Sequence, residues 1–137
     1  GNTCLQTSHS AGNITATNAK IAPIGTQFRG KTVALSQKIV AFQKDFAIAY
    51  DRFICLKDGD YNFFTNWYHH AGWFLLYINI NENSAQSHFG RSATQDQFIT
   101  LNANISLRRG DYIALWAQTN GTIAGDGRNI ITITKIG

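Results

Sequence analysis

Short apolar stretches of strand length recur along the chain from residue 38 onwards, and turn-forming residues separate them. The clearest alternation of apolar and polar positions places Ala103, Ile105 and Leu107 on one face of a strand. Residues 130–136 alternate in the same way. This period of two residues predicts β-strands, and no stretch shows the period of an amphipathic helix.

The predicted strands are apolar or aromatic, and Gly, Asp, Asn or Arg residues bound most of them. Residues 73–80 are expected to be buried on both faces, because apolar residues there are almost continuous. Tight turns are expected at residues 57–60, 81–84 and 108–111. The predicted strands are residues 38–44, 46–50, 53–56, 61–68, 73–80, 98–107, 112–119 and 130–136.

About eight to ten strands in 137 residues predict a single all-β sandwich or barrel. Residues 1–19 are rich in Thr, Asn, Ser and Gly, so they are interpreted as an N-terminal arm or connector. Residues 20–137 are then the globular domain. Met is absent, which suggests a mature form or a fragment of a longer protein. No repeat of fixed period indicates a propeller or a solenoid.

The composition limits the kinds of partner that the chain is expected to bind. Hydrophobic residues make up 44% of the chain, which is enough for a packed core. No apolar run is long enough to cross a bilayer, so membrane insertion is not expected. The net charge is +4, but only Arg108 and Arg109 are adjacent basic residues. Nucleic-acid binding is therefore not predicted, and the mild basicity favours contact with an anionic surface or polymer.

The cysteines Cys4 and Cys55 leave two interpretations open. A disulfide would tie the N-terminal segment to the core, whereas two buried free thiols would fit the sequence equally well.

Two motifs resemble the globular head of the complement first-component q family. The first is FICLKDGDYNF at residues 53–63, and the second is ISLRRGDYIAL at residues 105–115. Between them, LLYININ at residues 75–81 matches a family strand that ends in an Asn turn. The resemblance covers roughly residues 35–136. The chain departs from the family in its last strand, which lacks the aromatic-Gly ending, and it has no collagen-like Gly-X-Y run.

The resemblance implies an antiparallel jelly-roll sandwich, shared with the tumour-necrosis-factor superfamily, that forms a homotrimer and binds a partner. The same jelly roll occurs in bacterial spore-surface proteins and at the tips of viral and phage fibres. The predicted function is accordingly a receptor-binding or adhesive head of a trimeric phage or viral fibre. Its ligand would be a cell-surface glycan or protein, and its location extracellular or on the virion surface. The alternatives are a secreted complement-head-like module that binds protein, and a structural trimerisation cap.

The candidate ligand-binding residues lie in two segments. Tyr68, His69, His70 and Trp73 flank Gly72, and they combine aromatic rings for stacking on a sugar with two imidazoles. The loop at residues 125–128 supplies a carboxylate and a guanidinium, from Asp126 and Arg128, which suit sugar hydroxyls and an anionic sugar.

No metal, cofactor or catalytic site is predicted. Asp58, Asp60 and Asp126 invite a calcium interpretation, but Asp beside Gly is ordinary turn chemistry. His69 and His70 invite a zinc interpretation, but adjacent strand residues point to opposite faces. The chain contains no nucleophile elbow, no Cys/His signature and no phosphate-binding Gly-rich loop, so an enzyme is not expected.

Overall fold

The computed structural model describes the backbone of residues 2–9, 19–21, 27–28, 31–32, 37–38, 45–49, 52–70, 73–92, 97–119, 122–123 and 129–137. These residues form strands and turns, with no helix among them. In chain order the strands are β1 (Asn2–His9), β2 (Ala19–Ile21), β3 (Gln27–Phe28), β4 (Lys31–Thr32), β5 (Gln37–Lys38), β6 (Phe46–Ala49), β7 (Arg52–Cys55), β8 (Gly59–His70), β9 (Phe74–Ile80), β10 (Asn83–Ser92), β11 (Gln97–Leu107), β12 (Tyr112–Thr119), β13 (Thr122–Ile123) and β14 (Asn129–Lys135).

Two antiparallel sheets contain most of these strands. The first sheet has the order β11-β8-β14-β1-β5, and β13 also pairs with β8. The second sheet has the order β10-β9-β12-β7-β6, and β2 also pairs with β12. Strands β3 and β4 pair separately. The predicted all-β sandwich is confirmed.

The core lies between the two sheets, because each strand turns alternate side chains inward. The central strand β8 alternates over most of its length, with Tyr61, Phe63 and Trp67 fully buried. Two buried polar side chains on this strand are linked: the Trp67 Nε1 donates to Thr65 Oγ1 at 2.6 Å, and that hydroxyl donates to the Ile130 carbonyl at 2.7 Å. Ala103, Ile105 and Leu107 share the buried face of β11, as the sequence pattern predicts.

The strand predictions match β6, β7, β8, β9, β11, β12 and β14 within a few residues. One detail of β9 is wrong: Leu75 and Tyr77 are only half-buried, so this strand is not buried on both faces along its whole length. Strand β10 was not predicted because its sequence, NSAQSHFGRS, is mostly polar and has no apolar alternation. The predicted strand at residues 38–44 extends beyond the described residues after Lys38.

Residues 2–9 form β1, which pairs with β14 from Asn2 opposite Lys135 to His9 opposite Asn129. The segment interpreted as an N-terminal arm therefore begins with a strand of the first sheet. The domain boundary at residue 19 stays a prediction, since residues 10–18 lie outside the described part of the chain.

Two predicted turns adopt left-handed backbone conformations that define the hairpins. Asn81 and Glu82 have φ values of 55° and 57°, as in the two-residue turns that join twisted antiparallel strands. Gly110 has φ of 97°, and a Cβ there would meet nothing within 4 Å. Backbone conformation, rather than lack of space, is what favours Gly at this position.

Candidate binding surfaces

Strands β8, β11 and β14 lie side by side, and their outward-pointing side chains form one continuous surface, which we call the outer face. The register aligns it in rows: Asn62 lies opposite Asn104 on one side and Thr134 on the other. Phe64 lies between Asn102 and Thr132 in the same way. The outer face comprises Asp60, Asn62, Phe64, Asn66 and Tyr68, then Phe98, Thr100, Asn102, Asn104 and Ser106, then Ile130, Thr132, Thr134 and Ile136.

Large apolar groups lie at both ends of the outer face. At one end, Phe98 is 51% exposed and its ring meets the Tyr68 ring edge-on, with 4.9 Å between centroids. At the other end, Ile136 is 50% exposed. Phe64, in the middle of the face, is half-buried.

Between these ends the outer face is a hydrogen-bonded array of neutral side chains. The Asn62 Nδ2 donates to Asn102 Oδ1 at 2.5 Å and to Asn104 Oδ1 at 2.8 Å. Thr100 Oγ1 donates to Asn66 Oδ1 at 2.8 Å. Among the fourteen side chains of this face, the sole charged group is the Asp60 carboxylate, which accepts from Ser106 Oγ at 2.5 Å. The outer face therefore presents amides and hydroxyls with almost no charge, on a chain of net charge +4.

The candidate ligand residues near Gly72 are divided between the two sides of β8. Tyr68 lies half-buried on the outer face. His69 is fully buried on the opposite side and stacks on Phe74, with 5.0 Å between ring centroids, so its imidazole is not exposed in this chain. The backbone of His70 ends β8, and Trp73 is 37% exposed just before β9.

Tyr68 and His69 thus lie on opposite sides of β8, as adjacent strand residues do. No group of three or more metal-ligating side chains occurs among the described residues. The ligand-binding role of Tyr68, His69, His70 and Trp73 stays a proposal. Asp126 and Arg128 lie outside the described residues.

Asp58, Asp60 and Asp111 line an open cleft of about 420 Å³ near the β11–β12 turn, together with Ser106 and Arg108. Two of these carboxylates support the backbone. Asp58 Oδ1 accepts from the Arg109 N–H at 2.7 Å, and Asp111 Oδ2 accepts from the Arg108 N–H at 2.8 Å. These contacts are the turn chemistry expected of Asp beside Gly.

Asp111 also joins the β11–β12 turn to the β9–β10 turn, because its Oδ1 accepts from Asn81 Nδ2 at 3.0 Å. The hydrogen bond from the Arg108 backbone, and after it the one from Asn81, hold the pKa of the Asp111 carboxyl below its ordinary value. The charged form of Asp111 is therefore stabilised by folding.

Cys55 is a free thiol, fully buried, and its Sγ donates to the Lys57 carbonyl at 3.1 Å. Burial raises the pKa of this thiol, which keeps it protonated and unreactive. Of the two interpretations that the sequence left open, the structure has the free thiol at Cys55. The side chain of Cys4 lies outside the described residues.

Sequence reasoning missed Phe98 and the amides of β8 and β11 as surface features. The signal was present in the pattern: the polar positions that alternate with apolar ones along residues 98–106 contain no charged residue. Exposed positions of soluble domains often carry charges, so a run of neutral polar residues at alternate positions is a feature that the sequence alone could have revealed.

Comparison with known proteins finds no matching family model and no matching curated protein. Solved structures do match over almost the whole chain. Murine APRIL at pH 5.0 matches with a TM-score of 0.65 and 8% identity, over 96% of this chain and 99% of that chain. Murine APRIL at pH 8.0 matches with a TM-score of 0.64 and 10% identity, over 93% and 99%.

The globular domain of the zebrafish complement 1qA protein matches with a TM-score of 0.65 and 15% identity, over 97% of both chains. Identities this low establish the fold alone. The chain has the antiparallel jelly-roll fold of the tumour-necrosis-factor and complement-q heads, as the two motifs at residues 53–63 and 105–115 predicted.

Proposed function

We propose that this chain is a binding head domain that assembles as a homotrimer through its outer face and recognises a partner outside the cell. The observation that carries the proposal is the chemistry of the outer face, which combines exposed apolar groups with an almost complete lack of charge.

The exposed surface of a soluble domain normally carries charged side chains of both signs. The outer face has one carboxylate, at Asp60, and it carries Phe98 and Ile136 about half exposed. Depletion of charge and enrichment in aromatic residues are features of protein–protein interfaces. Each chain has a net charge of +4, so a neutral contact surface keeps the positive charges of two copies away from each other.

A second copy of the same chain is the occupant that fits best. The outer face offers donors and acceptors of one kind, amides and hydroxyls, which complement themselves without a partner of opposite charge. A ring of three copies closes such contacts and leaves no surface for open-ended growth. The structural neighbours support binding without catalysis and a location outside the cell, since they are cytokine and complement-head proteins.

The ligand would contact the end of the molecule where β8 ends and the exposed Trp73 precedes β9, outside the surface that the copies cover. An aromatic ring there suits a sugar ring or an apolar peptide side chain. Asp126 and Arg128, the second candidate segment in the sequence, would supply a carboxylate and a guanidinium to the ligand. We propose a cell-surface glycan or receptor protein as the ligand, and a phage or viral fibre as the parent structure. Weak binding by each copy would be strengthened by avidity in a trimer.

Light scattering coupled to size exclusion at micromolar concentration tests the assembly. The parent should elute with three times the 15.2 kDa mass of one chain. Asn102→Lys puts a positive charge in the middle of the outer face and should yield monomers that still fold. Lys57→Gln, which removes a charge from the exposed β7–β8 turn, is the matched control and should remain trimeric. A parent that is monomeric would refute the proposal.

A glycan array separates the adhesive head from a purely structural cap. The parent and a Trp73→Ala variant should be compared after both are shown to be folded. Binding to a defined glycan class that Trp73→Ala reduces about tenfold or more would support the proposed site. Equal binding by both proteins would remove Trp73 from the site, and no binding by the parent would favour a protein ligand or the cap.

A further inference from the structure

We propose that the amide cluster of Asn62, Asn102 and Asn104 determines how the copies align, so that one trimeric arrangement forms and others do not. This inference rests on the assembly proposed above, since the cluster is exposed in a single chain and becomes important when a second copy covers it.

Asn62 is the centre of the cluster. Its Nδ2 directs one hydrogen to Asn102 Oδ1 and the other to Asn104 Oδ1, at 2.5 and 2.8 Å. Both of its N–H groups are therefore used within the chain. Asn104 lies directly opposite Asn62 in the register, and Asn102 lies one row further along β11. One central amide thus fixes the orientation of the two amides on the neighbouring strand.

The fixed orientation leaves a defined set of unfilled groups. Each side-chain amide has two N–H donors, and the bonds from Asn62 use the oxygens of Asn102 and Asn104 but none of their donors. Water satisfies these donors in a single chain. Burial without replacement partners is costly, because a desolvated donor loses its hydrogen bond to water.

The surroundings of the cluster make alignment matter. Phe64 lies opposite Asn102 in the register, and Phe98 and Tyr68 lie further along the same two strands. An apolar contact between copies tolerates sliding, because it has no direction. The amide donors restrict it, because each of them needs an acceptor oxygen at a defined position on the other copy. The apolar groups thus favour association, and the amides select among the ways of associating.

Asn62→Val, Asn102→Val and Asn104→Val together remove the cluster and keep β-favouring side chains of similar size. This triple variant should still assemble, and sedimentation velocity should resolve more than one oligomeric mass. Thr132→Val lies on the same face, removes a hydroxyl outside the cluster, and should remain a single trimer like the parent. Circular dichroism establishes folding, and Asn62→Val alone repeats the test if the triple variant does not fold.

The outcomes separate the two proposals. A parent that is monomeric at micromolar concentration refutes the assembly itself. A trimeric parent with a triple variant that is equally and solely trimeric overturns the role of the cluster and leaves the assembly intact. A mixture of masses for Thr132→Val as well would also overturn it, because any change to the face would then suffice.

Discussion

The outward-facing side chains of the two sheets differ in burial and in chemistry. On the second sheet, the outward positions Ala114, Trp116 and Asn79 are buried, with 0%, 4% and 9% of their surface exposed. Trp116 stacks parallel to Tyr77 at 6.0 Å and donates to Asn79 Oδ1 at 3.3 Å. On the first sheet, the corresponding outward positions are exposed or half-exposed and carry neutral amides and hydroxyls.

This difference supports the proposal that the outer face of the first sheet, unlike that of the second, is available for contact with other chains. Trp116 contributes to the packing of one chain, whereas Phe98 would contribute to the proposed association between chains. The predictions below test this division, starting from the largest expected effect on the free energy of unfolding.

Trp116→Ala should destabilise the isolated chain by about 3–5 kcal/mol, because it leaves a large cavity and removes a stacked partner from Tyr77. Urea denaturation at a concentration below that of assembly measures the effect. If Trp116→Ala lowered the free energy of unfolding by less than about 1 kcal/mol, the outer face of the second sheet would not be well packed, and the two sheets would not differ in this respect.

Gly110→Val should destabilise the chain by about 1–3 kcal/mol, because φ of 97° is unfavourable for a β-branched residue. The turn at Gly110 joins β11 of the first sheet to β12 of the second, so both sheets depend on it. Thermal denaturation should show a clear decrease in Tm. Gly110→Asn is the control, since Asn tolerates the left-handed region better, and it should lose less. Equal Tm for all three proteins would contradict the assigned turn.

Asp111 should make the free energy of unfolding depend on pH. Its folded-state pKa is held below the ordinary value of 3.8, so its contribution to the free energy of unfolding is fully present above about pH 5. That contribution is lost as pH falls through the lower folded-state pKa. Asp111→Asn should lower Tm by a few degrees at neutral pH, and the difference from the parent should shrink below pH 3. Asp45→Asn is the matched control, because Asp45 is likewise a half-buried carboxylate outside the strands. A constant difference at all pH values would exclude this cause.

Phe98→Ala should destabilise the isolated chain by only about 1 kcal/mol, since half of the side chain is already in water and the rest packs edge-on against Tyr68. The same variant should weaken assembly by about tenfold or more, which analytical ultracentrifugation measures. The pair Trp116→Ala and Phe98→Ala therefore gives the sharpest form of the comparison. If Trp116→Ala and Phe98→Ala lowered the free energy of unfolding by similar amounts, the outer faces of the two sheets would not differ in their contribution to stability.

The sequence predicted the strands whose inward face is apolar, because burial imposes a period of two that can be read directly. Residues 103, 105 and 107 are the clearest case. It did not predict β1 or β10, which are polar and form by pairing with strands that have the apolar signal. It placed His69 with the surface aromatics, whereas the structure buries it, because the side on which a strand's imidazole lies depends on register. The contacts within the amide cluster could not be predicted from the sequence, because Asn62 and Asn104 are 42 residues apart.

The pairing of β1 with β14 has a consequence for the time course of folding. Asn2 lies opposite Lys135, so closing this ladder encloses nearly the whole chain in one loop. The entropy of loop closure must be overcome before the ladder yields its hydrogen bonds, whereas the Asn81–Glu82 hairpin closes a loop of two residues. Strands β9 and β10 can meet within a short stretch of chain, but the first sheet cannot be complete until residues distant in sequence have come together. A jelly roll of this connectivity consequently belongs among the slowly folding topologies, and its neutral outer face stays accessible to other unfolded chains throughout that delay.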